Sequence, residues 1–526
     1  MTAIASGRWL PALATLCIAA IAAPLAAGPR VRVAAGELEG LAAGRVEAFL
    51  GVPYAAPPVG DRRWRAPQPV AAWAGLRHAA ERGPSCQQAI AGAWGPYSAE
   101  FIAAPPVSED CLTLNLWRPA RATGRPLPVL VFIHGGAYQG GSGTMPLYDG
   151  AALAARGAVV VTINYRLGVF GFLAHPDLTA EDRHASGNYG LLDQIAALRW
   201  VKAHAARFGG DPQRITVAGE SAGAASVNNL LVAPEARGLF QRAISLSGAS
   251  MAIELPALER GEADGAAFAA RLGARDLAAL RALPADRLIA ASAVTPGEGG
   301  RPQLVFVPHR DGALVPHDPD RAGLPVASPV PLLTGFNAAE MIDLSVRSPA
   351  GFEQAVRTRY GVFADRLLAL YPHATETEVI QSNATLARDR YMTGLLIWAR
   401  TRTVKSGQPI HAYLYDHSYP PVRGGQGWGA FHSSELPYIF GTLGLGDRAF
   451  APADHAISRQ WQDRLLAFMR SGNPSVPGAV WPRMTVQGRL VMGLGDRPGL
   501  RPAVSSPERL AVLQAYAAAG GTLGLM

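Results

Sequence analysis

Short hydrophobic runs alternate with helix-like segments along most of this chain. The runs have the length and the β-branched composition of buried strands. Between them, hydrophobic residues recur every three or four positions, which is the spacing of an amphipathic helix, most clearly from Asn188 to Phe208. The predicted strands are Pro128–Ile133, Ala158–Ile163, Arg214–Ala218, Ala243–Leu246, Val330–Leu333 and Ile410–Tyr415.

Strands that alternate with helices form mostly parallel sheets with helices on both faces. The sequence therefore predicts an α/β fold. Two regions depart from the alternation: Val31 to Tyr54 has the looser pattern of an antiparallel meander, and residues 255–297 are rich in Ala, Leu and Arg and predict helices over the edge or mouth of the sheet. We find no internal repeat and no linker, so we expect one large domain over residues 28–526.

The first 27 residues have the pattern of a secretory signal peptide. Arg8 is their only charged residue, and the uncharged run from Trp9 to Ala27 ends in small residues. A positive start, an apolar middle and a small-residue exit are the three parts of a cleavable signal. A membrane anchor is the alternative, since about 20 apolar residues span a bilayer, but Pro11 and Pro24 count against it. We expect export to the periplasm or the exterior, with no membrane insertion after cleavage.

Composition and charge exclude several classes of partner. Hydrophobic residues make up 49% of the chain and charged residues 17%, so it is able to bury a large core. The net charge of +8 is spread along the chain without a basic run, which argues against nucleic acid. No His and Cys cluster has metal-ligand spacing, so neither a metal nor a cofactor is predicted. Beyond the signal, Cys86 and Cys111 form the even count typical of one disulfide in an exported protein, with two free thiols as the alternative.

Residues 219–223, with the sequence GESAG, form the strongest local motif. They follow the predicted strand Arg214–Ala218 and precede a helical segment, which is the context of a G-x-S-x-G nucleophile elbow. The serine of such an elbow occupies a sharp, strained turn, so its flanking positions must be glycine. Its hydroxyl then stands above the carboxyl end of the sheet, where open α/β sheets bind ligands. We therefore predict that Ser221 is a nucleophile.

A glycine-rich segment after another strand supplies candidate oxyanion donors. Residues 134–138, with the sequence HGGAY, follow the first of the predicted strands. A tetrahedral intermediate needs hydrogen-bond donors, and glycines let backbone N–H groups approach it closely. We predict an oxyanion hole formed by the N–H groups of Gly136, Ala137 and Ala222. His134 is predicted to position this loop rather than to act as a base.

A serine nucleophile needs a base, and the base needs an acid that fixes its tautomer. In this type of fold the chain order is Ser, then Asp or Glu, then His. His432 follows a glycine on a loop beyond the last predicted strand, from which it can reach the elbow. Spacing alone leaves Glu340, Asp343 and Asp311 open as the acid. The other histidines after Ser221, most of them in plain surface-like contexts, are His309, His317, His373, His411, His417 and His455.

These motifs, in this order, resemble those of the type-B carboxylesterases, an α/β-hydrolase family that includes cholinesterases and many bacterial esterases. The resemblance implies an α/β-hydrolase fold and a triad of Ser221, His432 and Glu340. It also implies the oxyanion hole described above and a disulfide between Cys86 and Cys111. The matching segments are Phe49–Ala55, Ser108–Leu112, His134–Gly136, Asn188–Gln194, Phe208–Pro212, the elbow, Gly335–Glu340 and His432–Gly441.

The resemblance implies an exported serine esterase that hydrolyses small-molecule carboxylic esters through an acyl-enzyme. A specialised hydrolase of a bulky natural-product or polymer ester is the alternative within the same chemistry. An inactive binding homologue is the alternative of another class, but such proteins usually lose the serine or the histidine. Cholinesterases carry a choline-binding tryptophan where this chain has Phe101, so choline esters are not implied. Residues 255–325 are expected to shape the pocket.

Overall fold

The computed structural model describes residues 28–121, 124–181, 186–248, 255–293, 295–296, 302–316, 328–340 and 345–524. The predicted signal peptide, Asp343 and His317 therefore lie outside the described residues. All six predicted strands are present. The strand predicted at Val330–Leu333 is shifted to Leu332–Asn337, because Pro331 has no N–H to donate to a ladder and the strand starts after it.

Eleven strands form one large sheet. Its seven central strands run parallel, and antiparallel strands pair at both ends, so the mostly parallel sheet predicted from the sequence is confirmed. The order across the sheet is β18-β17-β16-β15-β12-β11-β9-β10-β8-β4-β3. In chain order the described strands are β1 (Arg30–Val33), β2 (Gly36–Glu39), β3 (Leu41–Ala43), β4 (Val46–Pro53), β5 (Leu76–His78), β6 (Ser85–Cys86), β7 (Val107–Ser108), β8 (Thr113–Pro119), β9 (Leu127–Ile133), β10 (Val159–Ile163), β11 (Gly210–Glu220), β12 (Arg242–Leu246), β13 (Thr295–Pro296), β14 (Pro302–Gln303), β15 (Leu332–Asn337), β16 (Ile410–Tyr415), β17 (Leu490–Leu494) and β18 (Gly499–Pro502).

Helices cover both faces of this sheet. The described helices are α1 (Ala151–Ala154), α2 (Gly168–Phe172), α3 (Pro176–Glu181), α4 (Tyr189–His204), α5 (Ala222–Val232), α6 (Leu258–Arg271), α7 (Leu277–Arg281), α8 (Ala285–Ala291), α9 (Pro349–Tyr360), α10 (Ala364–Leu368), α11 (Glu376–Ser406), α12 (Leu436–Phe440), α13 (Pro452–Ser471) and α14 (Pro507–Ala518). On one face, α4, α5 and α11 share a core with Val129 and Val131 of β9. On the other, α12 and α13 share a core with Leu130 and Phe132. Neighbouring residues of β9 are thus buried on opposite faces, which explains its continuous hydrophobic run.

The two regions that departed from the alternation have separate roles. The meander predicted from Val31 to Tyr54 divides between two sheets: β1 and β2 pair in a small sheet with β5, while β3 and β4 extend the large one. The helical prediction for residues 255–297 is confirmed up to Ala291 by α6, α7 and α8, but it is wrong at Thr295–Pro296, which form β13. We call α6, α7 and α8 together the cap. Arg63 attaches the cap to the rest of the fold, since its guanidinium donates to the carbonyl groups of Arg281 at 2.8 Å and Leu283 at 2.7 Å.

His417 lies two residues beyond the C-terminal end of β16 and connects three parts of the fold. Its Nδ1 lies 2.5 Å from the Asp496 carboxylate and its Nε2 lies 2.9 Å from that of Asp454 at the start of α13. Burial lowers the pKa of His417, but hydrogen bonds to the two carboxylates, and their charges, raise it above its usual range. The imidazolium thus stabilises the fold.

A raised folded-state pKa gives a stability contribution that is complete below the unfolded value and is lost as pH rises through the folded value. We therefore expect His417→Gln to lower the free energy of unfolding most near pH 6, and progressively less at alkaline pH. Urea unfolding of both proteins between pH 6 and pH 10 measures this. Exposed His455 supplies the control, because its side chain lies in solvent and His455→Gln should change the free energy of unfolding little. A pH-independent loss in His417→Gln would contradict the ion-pair account.

Candidate active site

The parallel strands β9, β11, β12 and β15 end at the same edge of the sheet, and each is followed by a polar residue of the candidate site. These residues are His134, Ser221, Ser247 and, three positions beyond its strand, Glu340. Backbone hydrogen bonds align the ends of these strands. The Ser221 N–H donates to the carbonyl oxygen of Leu246 at 3.0 Å, and the Ser247 N–H donates to that of Gly335 at 2.8 Å. The fold thus brings together residues that are distant in the sequence.

Ser221 occupies the strained turn predicted for the elbow. Its φ is +57° and its ψ is −121°, a backbone conformation that side chains other than glycine rarely adopt. The glycines around it are required by close packing. A Cβ at Gly219 would lie 2.3 Å from the carbonyl oxygen of Gly223, and a Cβ at Gly223 would lie 2.1 Å from that of Ile133. The half-buried serine immediately precedes α5.

The loop after β9 lies beside this serine. A Cβ at Gly135 would lie 2.9 Å from the Cβ of Ser221. Gly136 and Ala137 both have positive φ, at 108° and 53°, which turns their peptide groups out of the strand direction. Within the described part of the chain, no hydrogen bond is donated by the N–H of Gly136, Ala137 or Ala222. All three donors named from the sequence therefore remain available to a ligand.

His134 has the character of a structural residue. Its ring stacks on Tyr165 with centroids 4.5 Å apart, and its Nδ1 lies 2.8 Å from the carbonyl oxygen of Gly135. Burial lowers the pKa of His134 to about 4, so the imidazole is neutral at physiological pH. A neutral, enclosed ring of this kind fits the positioning role predicted for it.

His432 and Glu340 form a directly hydrogen-bonded pair. The Nδ1 of His432 bonds to Oε2 of Glu340, and the backbone N–H of Ala339 donates to Ala430 at 2.9 Å, which joins the two loops. The Glu340 side chain is fully buried. Its second oxygen accepts hydrogen bonds from the Asn337 N–H at 2.8 Å and from the Ser247 hydroxyl. Both carboxylate oxygens are thus held in fixed directions.

Asp311, another of the acids that spacing left open, accepts a different set of hydrogen bonds. One of its oxygens accepts from the Asn188 amide at 2.8 Å. The other accepts from three successive N–H groups, those of residues 313 to 315, so the carboxylate stabilises a local turn. The surface-like context expected for most of the other histidines does not apply to His309 and His411. Both are buried, and burial lowers the pKa of each to about 4.

Two further buried glutamates lie near His432, and neither was predicted. Glu220, next to the serine, has a carboxylate oxygen 3.3 Å from Nε2 of His432 and accepts from the Ser433 hydroxyl at 2.6 Å. Glu435 accepts from the Asn337 amide. Burial raises the pKa of Glu220; burial and the charges of Glu220 and Glu340 raise that of Glu435 to about 8. Glu435 therefore keeps its proton at neutral pH.

The buried carboxyl groups control the charge of the imidazole. Burial alone would lower the pKa of His432, but the charges of Glu340 and Glu220 outweigh it and raise the pKa. An imidazolium at this position is accordingly stabilised by its neighbours. The glutamates lie inside the motifs GESAG and HSSEL, yet a sequence pattern alone does not reveal that they are buried together.

The disulfide predicted between Cys86 and Cys111 is confirmed. It indicates an oxidising compartment. Among the described helices, none is long and apolar enough to cross a bilayer. Gln88, two residues after the first cysteine, donates to the carbonyl oxygen of Gly141 at 2.8 Å and accepts from its N–H at 2.9 Å. The bridged segment therefore supports the far end of the loop that carries the predicted oxyanion donors.

Removing this disulfide should destabilise the protein. The two cysteines are 25 residues apart, and closing a loop of that size contributes about 3 kcal/mol on the chain-entropy model. We expect the Cys86→Ser/Cys111→Ser double variant to lose roughly that free energy of unfolding, measured by urea titration. The untreated and dithiothreitol-reduced wild type provide the comparison. Equal unfolding midpoints for all three would contradict a stabilising role.

The relation of this chain to known proteins agrees with the geometry. The model of the carboxylesterase family matches residues 27–508. Fumonisin B1 esterase of Sphingopyxis macrogoltabida is 35% identical over 93% of this chain and 92% of its own length. Para-nitrobenzyl esterase of Bacillus subtilis is 37% identical over 85% of this chain and 91% of its own. A solved structure of PNB esterase superposes with a TM-score of 0.76 at 34% identity, covering 92% of this chain and 99% of that one. The chain therefore belongs to the carboxylesterase family of carboxylic ester hydrolases, with the α/β-hydrolase fold.

Proposed function

We propose that this protein is an exported serine esterase that cleaves esters through a Ser221–His432–Glu340 triad and an acyl-enzyme. The observation that carries the proposal is the buried pair of His432 and Glu340 at the sheet edge where Ser221 occupies its strained elbow. A serine on such a turn, an oriented imidazole and free backbone donors are the parts that acyl transfer requires.

The reaction begins when Ser221 Oγ attacks the ester carbonyl carbon and Nε2 of His432 accepts the hydroxyl proton. The carbonyl oxygen becomes an oxyanion, and the N–H groups of Gly136, Ala137 and Ala222 donate to it. His432 then gives its proton to the leaving alcohol, and the C–O bond breaks to leave the acyl-enzyme. Water, deprotonated by the same imidazole, then attacks the acyl carbon. The C–Oγ bond breaks, His432 returns the proton to Ser221 Oγ, and the acid is released.

Glu340 takes part in these reaction steps through His432. Its carboxylate accepts the Nδ1–H, which leaves Nε2 unprotonated and able to accept the serine proton, and its charge stabilises the imidazolium that forms. The hydrogen bonds from Asn337 and Ser247 prevent the carboxylate from turning away. Because its own pKa is raised, Glu435 adds less negative charge around the imidazole than an ordinary glutamate would.

This mechanism predicts where activity is lost in acid. Since the carboxylates raise the pKa of His432, the protonated, inactive imidazolium persists above the usual histidine range near 6.5. We expect the acid limb of kcat/KM to lie above pH 6.5, and the Glu220→Gln variant to move it to lower pH because one raising charge is removed. A pH–rate profile of both proteins measures this. An acid limb below pH 6 in the wild type would contradict it.

We propose that residues 1–27 are a signal that is removed, and that residues 28–526 act as one domain. Two observations support this: the family match begins at residue 27, and the disulfide suits an oxidising compartment such as the periplasm or the exterior. N-terminal sequencing of the protein recovered from the periplasm and the medium of an expressing bacterium tests export. An N-terminus that retains residues 1–27 would contradict cleavage.

The proposed substrates are small-molecule esters. A second candidate, an ester of a bulky natural product, is favoured by the relative named fumonisin B1 esterase, which matches nearly the full length. Steady-state kinetics with p-nitrophenyl esters of graded acyl length, alongside matched anilides, test the class of reaction. We expect rapid ester turnover and slow anilide turnover. Preference for anilides would contradict an esterase, and a kcat/KM that is higher for fumonisin B1 than for every simple ester would favour the second candidate.

A further inference from the structure

The loop that carries the proposed oxyanion donors is held in a strained conformation. Gly136, Ala137 and Tyr138 have φ values of 108°, 53° and 61°, and two of these residues have side chains that disfavour positive φ. Such strain persists only where surrounding contacts determine the conformation. The position of the oxyanion donors therefore depends on whatever holds this turn.

Backbone contacts hold part of the turn. The carbonyl oxygen of Gly136 accepts from the N–H groups of Gln139 at 2.9 Å and Gly140 at 3.0 Å. The carbonyl oxygen of Tyr138 accepts from the Gly168 N–H at 2.7 Å, and the Tyr138 ring packs on Phe172. These contacts tie the turn to itself and to both ends of α2. None of these backbone contacts joins the turn to the cap, so that connection depends on a side chain.

Gln139 supplies that contact. Its side-chain Nε2 donates to the backbone carbonyl oxygen of Phe306 at 2.7 Å, in a segment 167 residues away in the sequence. Phe306 is buried and packs edge-on against Phe268 of α6, with ring centroids 5.1 Å apart. One amide group thus connects the strained turn to the helical cap.

The segment that accepts this hydrogen bond is itself fixed at two places. The N–H of His309 donates to the Asn188 side chain at 2.9 Å, and the Asn188 amide donates back to the His309 carbonyl at 2.9 Å. The next residue, Arg310, donates its N–H to the carbonyl oxygen of Pro256, just before α6, at 2.9 Å. The Phe306 carbonyl is therefore a fixed acceptor rather than part of a loose loop.

We infer that Gln139 is a positioning residue for the oxyanion hole: its amide couples the Gly136 and Ala137 donors to the cap through Phe306. The inference rests on the proposed function, since it assumes that these N–H groups bind the oxyanion. Loss of the Gln139 bond lets the strained turn relax, so the two N–H groups no longer point at the transition-state oxygen. Ground-state binding of the ester does not use those donors to the same extent, so the defect falls on kcat.

The test compares Gln139→Leu, which removes the donor, with Gln139→Glu, which presents a carboxylate to the carbonyl oxygen. We expect each variant to lose roughly 10- to 100-fold in kcat at pH 8 with KM within about threefold of wild type, because small misplacements of catalytic groups have effects of this size. Both variants should bind a trifluoromethyl ketone, whose hemiketal carries an oxyanion, more weakly by a similar factor. Unchanged kcat, or a defect confined to KM, would overturn the inference.

A pH profile separates positioning from a general packing defect. A protonated glutamic acid can donate to the Phe306 carbonyl, whereas a carboxylate cannot. The kcat of Gln139→Glu relative to wild type should therefore rise as pH falls from 8 to 5.5, while the ratio for Gln139→Leu stays flat. The exposed Gln68, whose amide donates to the Ala66 carbonyl at 3.0 Å, gives the matched control, and Gln68→Glu should show wild-type kcat throughout. A flat ratio for Gln139→Glu would overturn the inference. An active Ser221→Ala enzyme would instead overturn the proposed function.

Discussion

Ser221→Ala should lower kcat by about 10⁶-fold, since a knocked-out nucleophile removes the whole acyl-enzyme route. The variant should remain folded. Alanine has the same difficulty with a φ of +57° as serine has, so the strain of the elbow is unchanged. Steady-state kinetics and thermal unfolding of the two proteins measure both expectations. The exposed Ser471, replaced by alanine, serves as the control and should keep wild-type activity.

Ser221→Gly separates the strain from the chemistry. Glycine adopts a positive φ without cost, so this variant should be equally inactive yet more stable than wild type by about 1 kcal/mol. A higher unfolding temperature without activity would indicate that the elbow is strained for the sake of its hydroxyl. A Ser221→Ala enzyme with more than a few per cent of wild-type turnover would contradict the assignment of the nucleophile.

Glu340→Gln should lower kcat by about 10³- to 10⁴-fold. The amide has nearly the same volume, and its oxygen still accepts from Asn337 and Ser247. Its nitrogen, however, donates to Nδ1 of His432 and thereby places the imidazole proton on Nε2. That tautomer cannot take the proton of Ser221. The defect should appear in kcat, with thermal stability close to that of wild type.

The competing acids provide the controls for this variant. Asp311→Asn should keep kcat within about tenfold of wild type, although its unfolding temperature should fall because a turn-stabilising carboxylate is lost. Asp343→Asn should also stay within about tenfold. A nearly active Glu340→Gln enzyme beside an inactive aspartate variant would show that Glu340 is not the acid of the triad.

Local physics explains which parts of the fold could be predicted from the sequence. The strand β9 was evident because both faces of the sheet are covered, so every residue from Pro128 to Ile133 is buried and hydrophobic. The elbow was evident because the strained turn imposes glycine at Gly219 and Gly223 wherever it occurs. The start of β15 was missed because the hydrophobic pattern does not account for the missing donor of Pro331.

The electrostatics of the site could not be predicted in the same way. Spacing gave no means of choosing Glu340 over Asp311, because the choice depends on which loop meets His432 in space. Glu220 and Glu435 cluster near the same imidazole because the end of β11 and the segments that follow β15 and β16 meet at one edge of the sheet. Their raised pKa values follow from burial, which is a property of the folded chain.

Covalent labelling tests most directly whether Ser221 is the nucleophile of an acyl-enzyme. The native protein is treated with a fluorophosphonate until esterase activity is lost, and the adduct is located by peptide mass spectrometry. We expect one adduct per chain, on Ser221, formed in proportion to the loss of activity and absent from Ser221→Ala. Loss of activity with the adduct on another serine, such as Ser226 or Ser247, would contradict it.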